Sequence, residues 1–149
     1  MSAIRIDSDG ATVVLPWPDD REGRLRVVRD ELGGVADRAV YHRRAHLHVH
    51  GSGGRDGLAM NVTVWVLASH WRRVEIPYGF FGPVVVTGPA FTDLDEEMAV
   101  EVLAVCAAVR EVRREWVTRS PVGESQARAE LLAAAGHSVT VLDGRRSRA

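Results

Sequence analysis

The stretch "TDLDEEMAVEVLAVCAAVREVRREWVT", residues 92–118, constrains this chain more than any other part of it. Thr92 or Asp93 offers an N-cap, acids fill the first turn and arginines the last turns, an arrangement that opposes the helix dipole at both ends. Between those ends, Met98 to Val109 is apolar almost all round. A surface helix needs one polar face. This one must therefore be either the central core helix of the fold or half of a homodimer interface formed through residues 94–117.

A chain of 149 residues buries enough surface for one domain without disulfides or metals. The sequence predicts a single α+β domain over residues 1–144: an antiparallel β-sheet of short strands packed against the long apolar helix, with a C-terminal helical extension. "AIRID" and "ATVVLPW" read as two strands joined by the Asp9-Gly10 hairpin signal. "DDREGRLRVVRDELGG" changes to a helical period, with Asp19 as cap, Glu22 three residues on, and Gly33-Gly34 as the stop. Residues 41–50 alternate as one half-buried strand, regular from Ala45 to Val49, and the "GSGGRDG" loop then turns the chain into "LAM" as a hairpin partner. "VVVTG" reads as a buried strand, "SPVGESQARAELLAAAG" as a helix ended by Gly136, "HSVTVLDG" as a last short strand, and "RRSRA" (145–149) as a disordered basic tail. "NVTVWVLASHWRR" stays open between strand and helix: its β-branched content argues the first, and Asn61 as a cap argues the second.

Charge and cysteine usage narrow the function classes. The net charge of −1 supplies no general attraction to nucleic acid, and no apolar run approaches the ~20 residues that cross a bilayer. Cys106 is the single cysteine, and the N-terminus lacks the basic and apolar regions of a signal peptide. Together these predict a cytoplasmic protein with no membrane partner. All 19 basic residues are arginine, which reflects the codon usage of a GC-rich genome rather than a function.

The candidate site is "RRAHLHVHGSGG", where His46, His48 and His50 occupy alternate positions and share a face with Arg44. A strand rises about 3.3 Å per residue, so neighbouring histidines stand roughly 6.6 Å apart at the backbone and the outer two roughly 13 Å. His46 and His48 could hold one zinc ion at about 2.1 Å per nitrogen, with the third ligand from elsewhere in the chain. The same face, with Arg44, also suits a small anion, because guanidinium groups bind phosphate bidentately and imidazoles gain charge at mildly acidic pH. Tyr78, Phe80 and Phe81, in a loop set off by glycine and proline, offer an aromatic wall for a ligand or partner. Cys106, inside the most apolar helix, reads as inert, and no serine has triad context.

The order of elements, and in particular "HLHVHGSGGRDGLAMNVTVWVLA" followed by "GPVVVTG", resembles a small uncharacterised domain-of-unknown-function family of actinobacterial plasmids, phages and chromosomes, over roughly residues 3–105. In that family an asparagine precedes a helix and a glycine opens the following strand. Asn61 and Gly82 take those places, so the resemblance implies a helix over 62–71. It brings no reaction with it, and the histidines stand where the family carries acids. The resulting expectation is a non-enzymatic accessory protein, with a mobile element as one setting, that binds a small anionic ligand or a protein partner and needs no cofactor. The alternative is a histidine-metal hydrolase using zinc. A nucleic-acid-binding regulator ranks third, on clusters such as "REVRREW".

Overall fold

The Asp9-Gly10 turn adopts the geometry its residues suit: Gly10 has φ +91°, its amide donates to the Asp7 carbonyl, and the Asp9 carboxylate accepts from the Ala11 amide. In the computed structural model, which describes residues 3–148, this turn joins β1 (Ala3–Ile6) to β2 (Thr12–Leu15). There follow α1 (Arg21–Leu32), β3 (Ala36–His42), β4 (Ala45–His50), α2 (Val62–Arg72), β5 (Val84–Thr87), a 3-10 turn at Pro89–Phe91, α3 (Glu96–Glu115) and α4 (Glu124–Arg148). The strands form one antiparallel sheet in the order β2-β1-β5-β4-β3, so the fold is α+β.

Register decides what each face of the sheet meets. Ile4, Val86, Leu47 and Ala39 lie side by side across four strands and pack under the layer made by α2, α3 and α4. The next row, Arg5, Val85, His48 and Arg38, faces the other way. There α1 covers the sheet, with Val28 and Leu32 set against Ala3, Leu15 and Val85.

Asn61 resolves the open segment in favour of a helix. It is fully buried; its Oδ1 accepts from the Val64 amide at 3.1 Å, and its Nδ2 donates to the carbonyls of Ile6 and Gly82, each at 3.0 Å. One side chain thus caps α2 and ties it to the ends of β1 and β5. Thr63 through Ser69 are all buried, which is why this helix carries the continuous apolar run of a buried strand.

Several boundaries differ from the sequence reading. The caps are Asp20 and Asp95 rather than Asp19 and Thr92 or Asp93; Leu94, ahead of the second cap, is itself buried, as is Ala99, in the manner of a hydrophobic staple. Residues 41–50 are not one strand, because the chain reverses at Arg43-Arg44 between β3 and β4, with a bulge between Val40 and His42. "LAM" forms only an isolated bridge from Met60 to Phe81, since β4 already has β3 and β5 as neighbours.

The C-terminal region is also corrected. Gly136 does not end a helix, "HSVTVLDG" is not a strand, and the tail expected to be disordered is helical through Arg148, residue 149 lying outside the described residues. A mid-helix glycine costs roughly 1 kcal/mol. Burial of Leu131 and Ala135, with Leu132 and Val139 packed beside them, offsets that cost, and Arg146 ties the last turns to Glu97.

Of the two roles open to the long helix, α3 takes the core role. Met98, Ala99, Val102, Val105, Cys106, Val109 and Val112 are buried within the chain's own core, while Val100 and Ala107 lie on the exposed side of the helix. Among the described residues, no helix is long and apolar enough to cross a membrane.

Candidate functional site

The histidine row points away from Leu47, as alternation requires, but α1 and the 3-10 turn roof most of it. His48 is 2% exposed and its ring stacks on Phe91 at 4.8 Å. Thr87 Oγ1 gives its proton to the Gly88 carbonyl at 2.7 Å, so the His48 Nε2–H donates to Thr87 at 2.9 Å. Burial, with smaller contributions from His46 and Arg38, pushes His48 down to about 4. It is a neutral core residue. His46 is half-buried with Nδ1 enclosed and unpartnered, and burial followed by the charge of Arg38 holds it below the ordinary histidine value. Neither ring is a cation that would draw an anion at neutral pH.

Arg44 leaves the row altogether. It sits in the β3–β4 turn and reaches the start of α3, where Nη2 and Nε meet Asp95 Oδ2 at 2.8 and 3.0 Å and Nη1 lies 3.7 Å from Glu97. Its charge is committed to the carboxylates of the α3 cap. The metal reading loses its third ligand as well: among the described residues no three His, Cys, Asp or Glu side chains gather closely enough to hold an ion, so His46 and His48 remain a pair. The donor set does not fit zinc. Cys106 is buried and its thiol is pushed up to about 12 by that burial, so it supplies no thiolate at neutral pH. The "REVRREW" cluster is interleaved with acids, with Arg114 on Glu111 and Arg119 on Glu115, and so presents no unbroken basic stripe.

His50 has a different setting. It lines a cup of about 350 Å³ between the 51–55 loop and the 79–81 loop, with Ser52, Arg55 and Phe81 among the other walls. His50 Nδ1 accepts the Ser52 amide at 3.1 Å, which leaves the proton on Nε2, 3.9 Å from Asp56. The Ser52 hydroxyl gives its proton to Asp56 at 2.8 Å and lies 3.5 Å from His50 Nδ1, which already accepts the Ser52 amide, so the trio is not a nucleophile-and-base relay. With Asp56 so engaged, Arg55 keeps an exposed guanidinium that has no carboxylate partner among the described residues. The amides of Gly54 and Arg55 likewise find no acceptor there. A side chain at Gly53 would strike the Phe81 carbonyl at 2.7 Å, so glycine is what lets the two loops close on each other.

The seven residues expected to form one site therefore separate. His50, Phe80 and Phe81 line the cup. Phe80 is mostly buried and meets Tyr41 edge-on at 5.7 Å. Tyr78, 53% exposed, turns to the other side of Gly79 and borders a second cavity of about 610 Å³. That cleft runs between the 75–79 loop and the helices α2, α3 and α4, with Trp65, Trp116, Met60 and Leu131 as apolar walls and Glu75, Glu124 and Arg128 among its polar ones. Apart from Tyr78, sequence reading missed all of these. They come from four separate stretches of the chain, and each tryptophan alone reads as core. No protein-family model matches the chain, and neither a curated protein nor a solved structure is similar enough to match it.

Proposed function

We propose that this protein is a non-enzymatic accessory protein that holds a small anionic ligand in the cup formed by residues 50–55 and 79–81. The observation that carries the reading is the unpaired Arg55 guanidinium beside the acceptor-free amides of Gly54 and Arg55. A guanidinium and main-chain amides are the donors that oxyanions take. Phe81 and the His50 ring give the cup apolar sides that screen such contacts less than open water does. A phosphate or carboxylate on a small molecule fits this chemistry. What set the anion expectation in the sequence, Arg44 with the histidine row, is replaced by Arg55 with His50.

The test uses inorganic phosphate as the probe, added to protein without a histidine tag at matched ionic strength. Phosphate at about ten times its dissociation constant should raise stability by about 1.4 kcal/mol, and Arg55→Ala should abolish the gain. An equal gain in wild type and variant, or none in either, overturns the reading. Zinc in stoichiometric amount in the same preparation would move the case to the histidine-metal hydrolase instead.

A further inference from the structure

The 610 Å³ cleft lies within the range of small-molecule sites and is mostly apolar, with its polar groups confined to a few side chains. Those polar groups decide what it can hold. Trp65 Nε1–H donates to the Ile76 carbonyl at 2.8 Å, and Trp116 Nε1–H donates to Glu130 Oε2 at 2.9 Å. Both indole donors are thus consumed by the protein, and the rings offer the cleft carbon surface. The Tyr78 hydroxyl is shared with Tyr41. The remaining charged groups in the lining are two carboxylates and one guanidinium: Arg128 Nε lies 3.2 Å from Glu75 and Nη1 lies 3.7 Å from Glu124. One arginine is divided between two acids. The lining keeps one negative charge in excess, beside aromatic rings and the Met60 thioether.

An anionic ligand would find in this lining only a guanidinium that is already taken, and would meet two carboxylates. A neutral apolar ligand would use the walls and ignore the charge. We infer that the cleft is a binding site for a small hydrophobic organic cation, an alkylated ammonium, held against Trp116 and Tyr78 with Glu75 and Glu124 balancing its charge. Aromatic faces attract an ammonium through their quadrupoles, and the attraction grows where water is excluded, as over the buried Trp65 floor. Arg128 marks the position that a cation prefers here and competes with the ligand for the same acids. This inference stands on a different cavity from the cup and does not depend on the anion reading.

The experiment titrates the isotope-labelled full chain with choline, with its neutral isostere 3,3-dimethylbutan-1-ol and with the anionic 3,3-dimethylbutanoate, following the four indole N–H resonances by NMR. Choline should shift Trp65 and Trp116 saturably, leave Trp17 and Trp71 in place, and bind about three- to tenfold more tightly than the alcohol. Glu75→Gln, at a half-exposed position where folding is not at stake, should weaken choline binding and leave alcohol binding unchanged; Arg128→Gln should strengthen choline binding. Tyr78→Leu keeps an apolar wall and should lower the preference for choline over the alcohol. Equal affinity for choline and the alcohol, tighter binding of the butanoate, or no saturable shift at Trp65 and Trp116 would each overturn the inference.

Discussion

His48 and His50 stand two residues apart on the same strand, point to the same side of the sheet, and have opposite fates. His48 lies under Phe91 with its Nε2–H spent on Thr87, whereas His50 lies at the end of β4, where the covering layer gives way to the 51–55 loop. Alternation along a strand settles which face a side chain takes, but not whether another element covers that face. Here the cover is α1 together with the 3-10 turn: Phe91 lies over the His48 ring, whereas His50 meets only Gly34 at the end of α1 and keeps one edge on the cup.

The largest way to break this comparison is a charge. His48→Asp places a carboxylate under Phe91, with Thr87 beside it and Arg38 across on β3 as a partial counter-charge, and should destabilise the fold by about 3 kcal/mol in chemical denaturation. A loss below 1 kcal/mol, on the order of an exposed-site change, would mean that His48 is open to solvent.

A second test is pH. Because the folded state holds His48 near 4, against an ordinary 6.5, the unfolded chain binds more protons between those values. Stability due to neutral His48 is therefore full above about pH 6.5 and declines as pH falls toward 4, by on the order of 3 kcal/mol over the window. His42 and His46, also lowered chiefly by burial, act in the same direction. His48→Gln, which keeps a donor for Thr87, should flatten the decline; denaturation at pH 7 and pH 4.5 measures it. An unchanged slope would remove His48 as its source.

The smallest effect sharpens the contrast. His50→Ala loses the bond from the Ser52 amide and the contact with Gly34, and should cost no more than about 1 kcal/mol while weakening phosphate binding in the cup. Calorimetry on the variant separates the two: a stability loss as large as that of His48→Asp would place both histidines in the core.

Much of the fold was legible because its signals are local. Asp9-Gly10, the stop at Gly33, the cap at Asn61 and the apolar run of Val84 to Val86 each act within a few residues, and each does in the structure what its chemistry suggests. The β3–β4 reversal was hidden because two arginines rather than a glycine pair make the turn. Helix α4 was cut short in the reading because Gly136 is a stop signal by local rules, and only packing of Leu131 and Ala135 against the core overrides it.

The sequence by itself determined the fold class, the burial of the long helix and the face to which the histidines point, since periodicity and capping depend on neighbours along the chain. Only the tertiary structure decided which histidine lines a cavity, that Arg44 serves the α3 cap, that Arg55 stands unpaired in the cup, and that Trp65, Tyr78 and Trp116 wall one cleft. Cover, ion pairing and cavities are made by residues far apart in sequence, and the free energy that brings them together is collective. No single stretch of the chain carries it.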